Sequence, residues 1–172
     1  PAPPPVQAAQ AAQAAQGGAG RAGAPGVAAP GAARPPQPYA GSFPQSLVDD
    51  VIPFVEKRFR VLAAKDDRAI AGLSMGGGHT LAATNNNPGK FAYIGVFSSG
   101  PRTVDETFQK QLDAVKAGGV KFYWLGAGTT DMARAGTVTL SELVKQQGFN
   151  TSYREIPGSH YWFLWRDFLG DF

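Results

Sequence analysis

Ile70-Ala71-Gly72-Leu73-Ser74-Met75-Gly76-Gly77-Gly78 is the stretch on which the reading of this chain turns. Its first half is short and apolar, follows the turn-forming Lys65-Asp66-Asp67, and predicts a buried strand over 68–73. Its second half is small and glycine-rich and leads into a helix-capable stretch reaching about Thr84. Between the two stands Ser74 in a G-x-S-x-G pattern. A serine hydroxyl is a poor nucleophile until a sharp turn exposes it and a base removes its proton. Such a strand-to-helix turn is crowded, and small residues two before and two after the serine relieve the crowding. In a chain with 22 glycines the bare pattern is weak. The strand before it, the helix after it, and Gly77 and Gly78 behind it give it weight.

Working downstream, strand and helix patterns alternate. Asn85-Asn86-Asn87-Pro88-Gly89 is a strong breaker. A second apolar strand is predicted over 92–97, ending at Ser98-Ser99-Gly100-Pro101, and a helix over 104–116 carries Phe108, Leu112 and Val115 on one face. A third strand over 120–125 is closed by Gly126-Ala127-Gly128. A helix over 138–146, a strand over 151–156 and an aromatic terminal helix over 161–168 complete the series. Upstream, Leu47, Val51, Val55 and Phe59 recur four apart, an amphipathic helix over 46–59 that Pro53 kinks or splits in two. Asp49 and Asp50 read there as solvated first-turn carboxylates favoured by the helix dipole. Four strands separated by helices imply parallel βαβ units with right-handed crossovers, and so an α/β fold around a mostly parallel sheet.

If Ser74 is a nucleophile its base is a histidine, and the chain has two. His79 lies five residues on, about 7 Å along a helix leading away from the hydroxyl, and reads as a surface or packing residue. His160 follows the fourth strand in Pro157-Gly158-Ser159-His160, a loop able to carry an imidazole over the turn. The third member holds the imidazole's tautomer and stabilises its charged form. Asp131 sits just after the third strand, whereas Asp105 and Glu106 read as helix-opening charges. The order Ser74, Asp131, His160 places each residue at the end of its own strand, the order expected of an α/β-hydrolase. Met75 N–H, next after the nucleophile, is the candidate donor to the oxyanion. A sugar or aromatic acid could rest against Tyr161, Trp162, Phe163 or Trp165; most of these are expected to anchor the last helix, and Trp162, two past the histidine, is the one expected to face a substrate.

Composition narrows the function classes. Residues 1–41 hold 15 Ala, 9 Pro, 7 Gly and 5 Gln, with only Arg21 and Arg34 charged. A segment so poor in large apolar groups cannot offset the entropy of ordering, so disorder or extended chain is expected there, a linker or insertion. The 16 Lys and Arg give a net charge of +3, but two lie in that tail, and 14 against 13 acids leaves the remainder at +1. No basic stripe interleaved with aromatics follows, so nucleic-acid binding is not expected. The chain has no cysteine, which removes disulfides and thiolate metal sites, and neither metal nor cofactor is expected. No apolar run approaches the roughly 18–20 residues of a membrane span, and no signal peptide is visible.

At these residues the chain resembles the α/β-hydrolase esterase family that includes feruloyl and acetyl-xylan esterases, related to esterase D and enterochelin esterases. The matching stretches are 49–57, 70–78, 94–100, the 126–131 loop and Ile156-Pro157-Gly158-Ser159-His160. The resemblance implies hydrolysis of carboxylic esters of polysaccharides or small molecules, in proteins commonly exported, with Ser74 as nucleophile, Asp131 as acid and His160 as base. Members of that family have strands before the first helix, and a loop after one of them gives a second N–H to the oxyanion. This sequence offers only the low-complexity tail there, so a C-terminal part of a hydrolase domain over 42–172 is expected. One such donor is worth about 100- to 1,000-fold in rate. Two other readings stay open at this point: a non-catalytic interaction module, and an acyltransferase that passes the acyl group to an alcohol other than water.

Overall fold

The structure, a computed structural model, describes residues 42–172; the expectation for residues 1–41 lies outside the described residues. The chain enters through a short helix α1 (Phe43–Ser46), a π-helical turn (Leu47–Val51) and α2 (Ile52–Arg58). The amphipathic helix expected over 46–59, kinked or split by Pro53, is split just before that proline. Proline lacks an N–H and its ring crowds the carbonyl four residues back, and a widened π turn accommodates that residue without ending the helical path. After a 3₁₀ turn (Lys65–Asp67) come β1 (Ala69–Leu73), α3 (Met75–Asn86), β2 (Tyr93–Phe97) and α4 (Glu106–Ala117). They are followed by β3 (Phe122–Gly128), α5 (Arg134–Gln146), β4 (Thr151–Ile156) and α6 (Trp162–Asp171). None of the described helices is long and apolar enough to cross a membrane.

The four strands lie in sequence order, β1-β2-β3-β4, and every neighbouring pair is parallel. This is the mostly parallel α/β sheet expected. Because side chains alternate across a strand, the sheet has two apolar faces. Ile94 and Val96 of β2 and Tyr123 and Leu125 of β3 face a core completed by Leu81 of α3, Leu112 and Val115 of α4, and Leu140 and Val144 of α5. Their alternates, Phe97 and Trp124, face the other way and meet Leu164 and Phe168 of α6. Three crossover helices on one face is what right-handed connections between sequential parallel strands require, and the terminal helix, which connects no strands, covers the other face.

Two boundaries differ from expectation for physical reasons. The third strand runs through Gly126-Ala127-Gly128 instead of stopping before it. A Cβ on Gly126 would lie 2.6 Å from the Trp124 ring and 3.1 Å from Phe168, so this glycine makes room for α6 within the strand. Helix α5 begins four residues earlier than its apolar period, at Arg134, whose N–H reaches Asp131 O at 3.1 Å. Asp105, read as a helix opener, accepts the N–H of Phe108 at 2.8 Å and caps α4.

Candidate active site

Ser74, Asp131 and His160 gather at the carboxyl ends of the strands, where ligand sites of parallel sheets form. Ser74 follows β1 directly and precedes α3, at φ 52°, ψ −120°. This backbone is one that L residues rarely adopt, and its retention at a strand-to-helix turn marks stored strain. The strain is held by neighbours: Ser74 N–H donates to Phe97 O at 2.9 Å, and Gly77 N–H and Gly78 N–H close back onto Ser74 O at 3.0 and 3.3 Å. Met75 is the first residue of α3, where a backbone N–H has no acceptor within the helix.

The glycines around the turn are not equivalent. A Cβ on Gly72 would sit 2.1 Å from Gly76 O and 2.6 Å from Thr80 Oγ1, and one on Gly77 would sit 2.4 Å from Ser99 Cβ. A Cβ on Gly76 would meet nothing within 4 Å among the described residues. The close approach of α3 to β1 and to the loop after β2 thus depends on Gly72 and Gly77, both among the small residues the sequence singled out, and not on a missing side chain at Gly76 or Gly78. Gly72→Ala is expected to lose at least about 1–3 kcal/mol of stability, since backbone rather than a movable side chain blocks the new atom. Gly76→Ala is expected to gain about 0.5–1 kcal/mol from the helix preference of alanine. Thermal unfolding of the two variants checks this, and equal melting temperatures would contradict it.

Asp131 and His160 come from loops that are laced to each other. Thr129 N–H donates to Ile156 O at 3.0 Å, Thr130 N–H and Oγ1 both donate to Gly158 O at 2.9 Å, and Ser159 Oγ donates to Thr130 O at 3.2 Å. This lacing brings His160 Nδ1 to 2.9 Å from Asp131 Oδ1 and His160 Nε2 to 2.8 Å from Ser74 Oγ. The structure therefore brings the three residues singled out in the sequence into one hydrogen-bonded line. The Asp131 side chain is fully buried while that of His160 keeps 21 % of its surface. Burial pushes the Asp131 carboxyl up, but hydrogen bonding from Ser98, from Ala133 N–H and from His160 outweighs it, and its pKa lies below the ordinary aspartate value. An ionised carboxylate only accepts, so Nδ1 of the imidazole carries a proton and neutral Nε2 is left to accept from the Ser74 hydroxyl.

A cleft of about 740 Å³ opens beside Ser74 and Met75, walled by His79 and Phe108 and by Arg102 and Thr103 of the loop after β2. His79, set aside as a base, packs its ring against Phe43 at 5.3 Å. Trp162 does not reach this cleft. It is 65 % exposed and borders a separate hollow of about 160 Å³ with Leu73, Phe97 and Leu169 on the α6 face of the sheet. Sequence reasoning gave Ser98 no role and named Trp165 only among the aromatics that could meet a substrate or anchor the last helix. Ser98 holds a positive φ of 49° with no glycine or asparagine to announce it, and Trp165 looks like any core aromatic of a terminal helix.

Residues 22–171 match the Esterase family. This chain belongs to that family. As an Esterase-family chain it is 34 % identical over 128 residues to an endo-1,4-beta-xylanase/feruloyl esterase of Xylanibacter ruminicola, covering 74 % of its own length and 16 % of the relative's. Among solved structures it resembles the feruloyl esterase module of Clostridium thermocellum, with a TM-score of 0.64 and 23 % identity over 77 % of this chain and 57 % of that one. It likewise resembles S-formylglutathione hydrolase of Staphylococcus aureus, with a TM-score of 0.65 and 18 % identity over 79 % and 64 % of the two chains. At such identities the structures report a shared α/β-hydrolase fold. The chain thus spans less than two thirds of the relatives it matches.

Proposed function

We propose that this site hydrolyses carboxylic esters through an acyl-enzyme on Ser74, acting on feruloyl- or acetyl-type esters of polysaccharides or small molecules. The observation that carries the reading is the unbroken line Ser74 Oγ, His160 Nε2, His160 Nδ1, Asp131 Oδ1, with contacts of 2.8 and 2.9 Å. Membership of the Esterase family and likeness to a xylanase/feruloyl esterase support it. Polysaccharide esters lie outside the cell, so an exported protein belongs to the same proposal.

The chemistry follows from the geometry. As Ser74 Oγ attacks the ester carbonyl carbon, its proton passes to His160 Nε2, and the imidazolium formed is stabilised by the buried Asp131 carboxylate. The carbonyl oxygen becomes an oxyanion facing the free N–H of Met75 at the start of α3, where the helix dipole also favours negative charge. Collapse of the adduct breaks the bond to the alcohol, which takes the proton from Nε2 and leaves. Water then attacks the acyl carbon, gives its proton to Nε2, and the acid departs as the proton returns to Ser74 Oγ.

The test is direct. The intact natural polypeptide is treated with a fluorophosphonate and assayed against p-nitrophenyl acetate, methyl ferulate and acetylated xylan. A single adduct on Ser74 by mass spectrometry, with turnover of an acetyl or feruloyl ester, is expected. No adduct, or an adduct on another serine, would overturn the nucleophile assignment.

A further inference from the structure

One side chain outside the Ser74–His160–Asp131 line packs against it and is hydrogen-bonded to a second. Trp165, half-buried on α6, donates its indole N–H to Ser98 Oγ at 2.8 Å. The same ring stands edge-on to the imidazole of His160, with centroids 4.7 Å apart and planes at 86°. That arrangement is the favoured one for an aromatic pair and resists rotation of either ring. Ser98 follows β2 and is 1 % exposed, with its own N–H tied to Gly126 O at 2.8 Å.

The direction of these contacts is fixed by chemistry. An indole N–H only donates, so Trp165 occupies a lone pair of the Ser98 oxygen and leaves the hydroxyl proton to be given elsewhere. Asp131 Oδ2 is buried and has no hydrogen bond of its own, while Oδ1 is already taken by His160 and by Ala133 N–H at 2.8 Å. Oδ2 is thus the acceptor left open on that carboxylate, and Ser98 is the leading hydrogen-bonding influence that lowers the Asp131 pKa. Ser98 is also one of two non-glycine residues with positive φ among the described residues, the other being Ser74. A glycine would adopt that backbone at lower cost, so what a serine adds there is its hydroxyl.

We propose that Trp165 and Ser98 are positioning residues for ester cleavage: the indole fixes the plane of the His160 ring and aims the Ser98 hydroxyl, which holds the Asp131 carboxylate so that Oδ1 faces the imidazole. The inference rests on the reading of Ser74 as nucleophile. It makes α6 part of the catalytic framework, because one indole links the base, through Ser98, to the acid.

The experiment compares Trp165→Phe, Ser98→Gly and the double variant with the intact natural polypeptide. Trp165→Phe keeps an aromatic ring against His160 and removes the N–H; Ser98→Gly removes the hydroxyl and relieves the positive φ, so neither is expected to unfold the chain. The readouts are the rate of fluorophosphonate labelling of Ser74, kcat and KM for a nitrophenyl ester, and the melting temperature. Each single variant is expected to lose about 10- to 100-fold in kcat and labelling rate, with KM changed less than about twofold. The double variant is expected to be no worse than the poorer single one, since both remove the same chain of contacts. Wild-type rates in either single variant, a change confined to KM, or losses that multiply in the double variant would overturn the proposal. A wild-type protein that takes no label overturns the Ser74 reading and this one with it, whereas a reactive wild type matched by its variants overturns this one alone.

Discussion

Replacing Ser74 with alanine is expected to lower kcat for ester hydrolysis by about 10⁶-fold and to abolish fluorophosphonate labelling, with the fold intact. Alanine keeps the Cβ and so keeps the backbone strain at φ 52°, and it removes only the hydroxyl that His160 Nε2 meets at 2.8 Å. Ser74→Gly is expected to be equally inactive but more stable, by about 1 kcal/mol, because glycine adopts that φ without the steric cost. The pair separates two quantities usually lost together. If both variants are inactive and only the glycine form melts higher, the strain at residue 74 is maintained for the hydroxyl's exposure. Turnover near wild type in Ser74→Ala would sink the nucleophile assignment whatever the melting temperatures.

The turn at residue 74 was legible because its chemistry is local. Gly72, Ser74 and the helix behind them are contiguous, and an apolar strand that ends in small residues has few other uses. Asp131 and His160 could be read for a related reason: each lies in a loop just past a strand, and parallel strands bring all such loops to one edge of the sheet. What escaped was set by tertiary contact. Nothing in Gly126-Ala127-Gly128 says strand until Trp124 and Phe168 need the space a side chain would fill. Nothing in Arg134-Ala135-Gly136-Thr137 has an apolar period, and the helix starts there because Asp131 O accepts Arg134 N–H. The π turn before Pro53 was foreseen as an interruption but not as a widened turn. Ser98 gave no signal at all, because a serine predicts neither a positive φ nor a half-buried indole as its partner.

The same contrast explains how the site keeps its geometry. Ser74 is held by the β2 end through Phe97 O, Asp131 by Ala133 N–H within its own loop, and His160 by threonines of the Asp131 loop. Each reacting side chain is therefore anchored to a strand other than its own or to a turn that caps a helix. Such cross-anchoring makes the distances a property of the sheet's register rather than of any one loop.

Asp131→Asn is expected to reduce kcat by about 10⁴-fold while leaving KM and the fold nearly unchanged. The wild-type carboxylate accepts from His160 Nδ1, which obliges Nε2 to be the unprotonated nitrogen facing Ser74. An asparagine can turn its amide N–H toward Nδ1, and the imidazole then carries its proton on Nε2, where it cannot accept the serine's. Charge contributes as well, since a neutral amide does not stabilise the imidazolium formed during attack. The acid side of the stability profile supplies an independent check. The folded pKa of Asp131 lies below the ordinary aspartate value, so its ionised form favours the fold. That contribution is complete above the unfolded value of about 3.9 and is lost as pH falls through the lower folded value. Asp131→Asn removes the titrating group, so the difference in stability between wild type and variant is expected to shrink as pH drops below about 4. Urea unfolding of both proteins at neutral pH and near pH 3 measures that difference. A gap that stays constant or widens in acid would mean that the carboxylate is not held ionised by Ser98, Ala133 and His160, and the tautomer argument for His160 would fall with it.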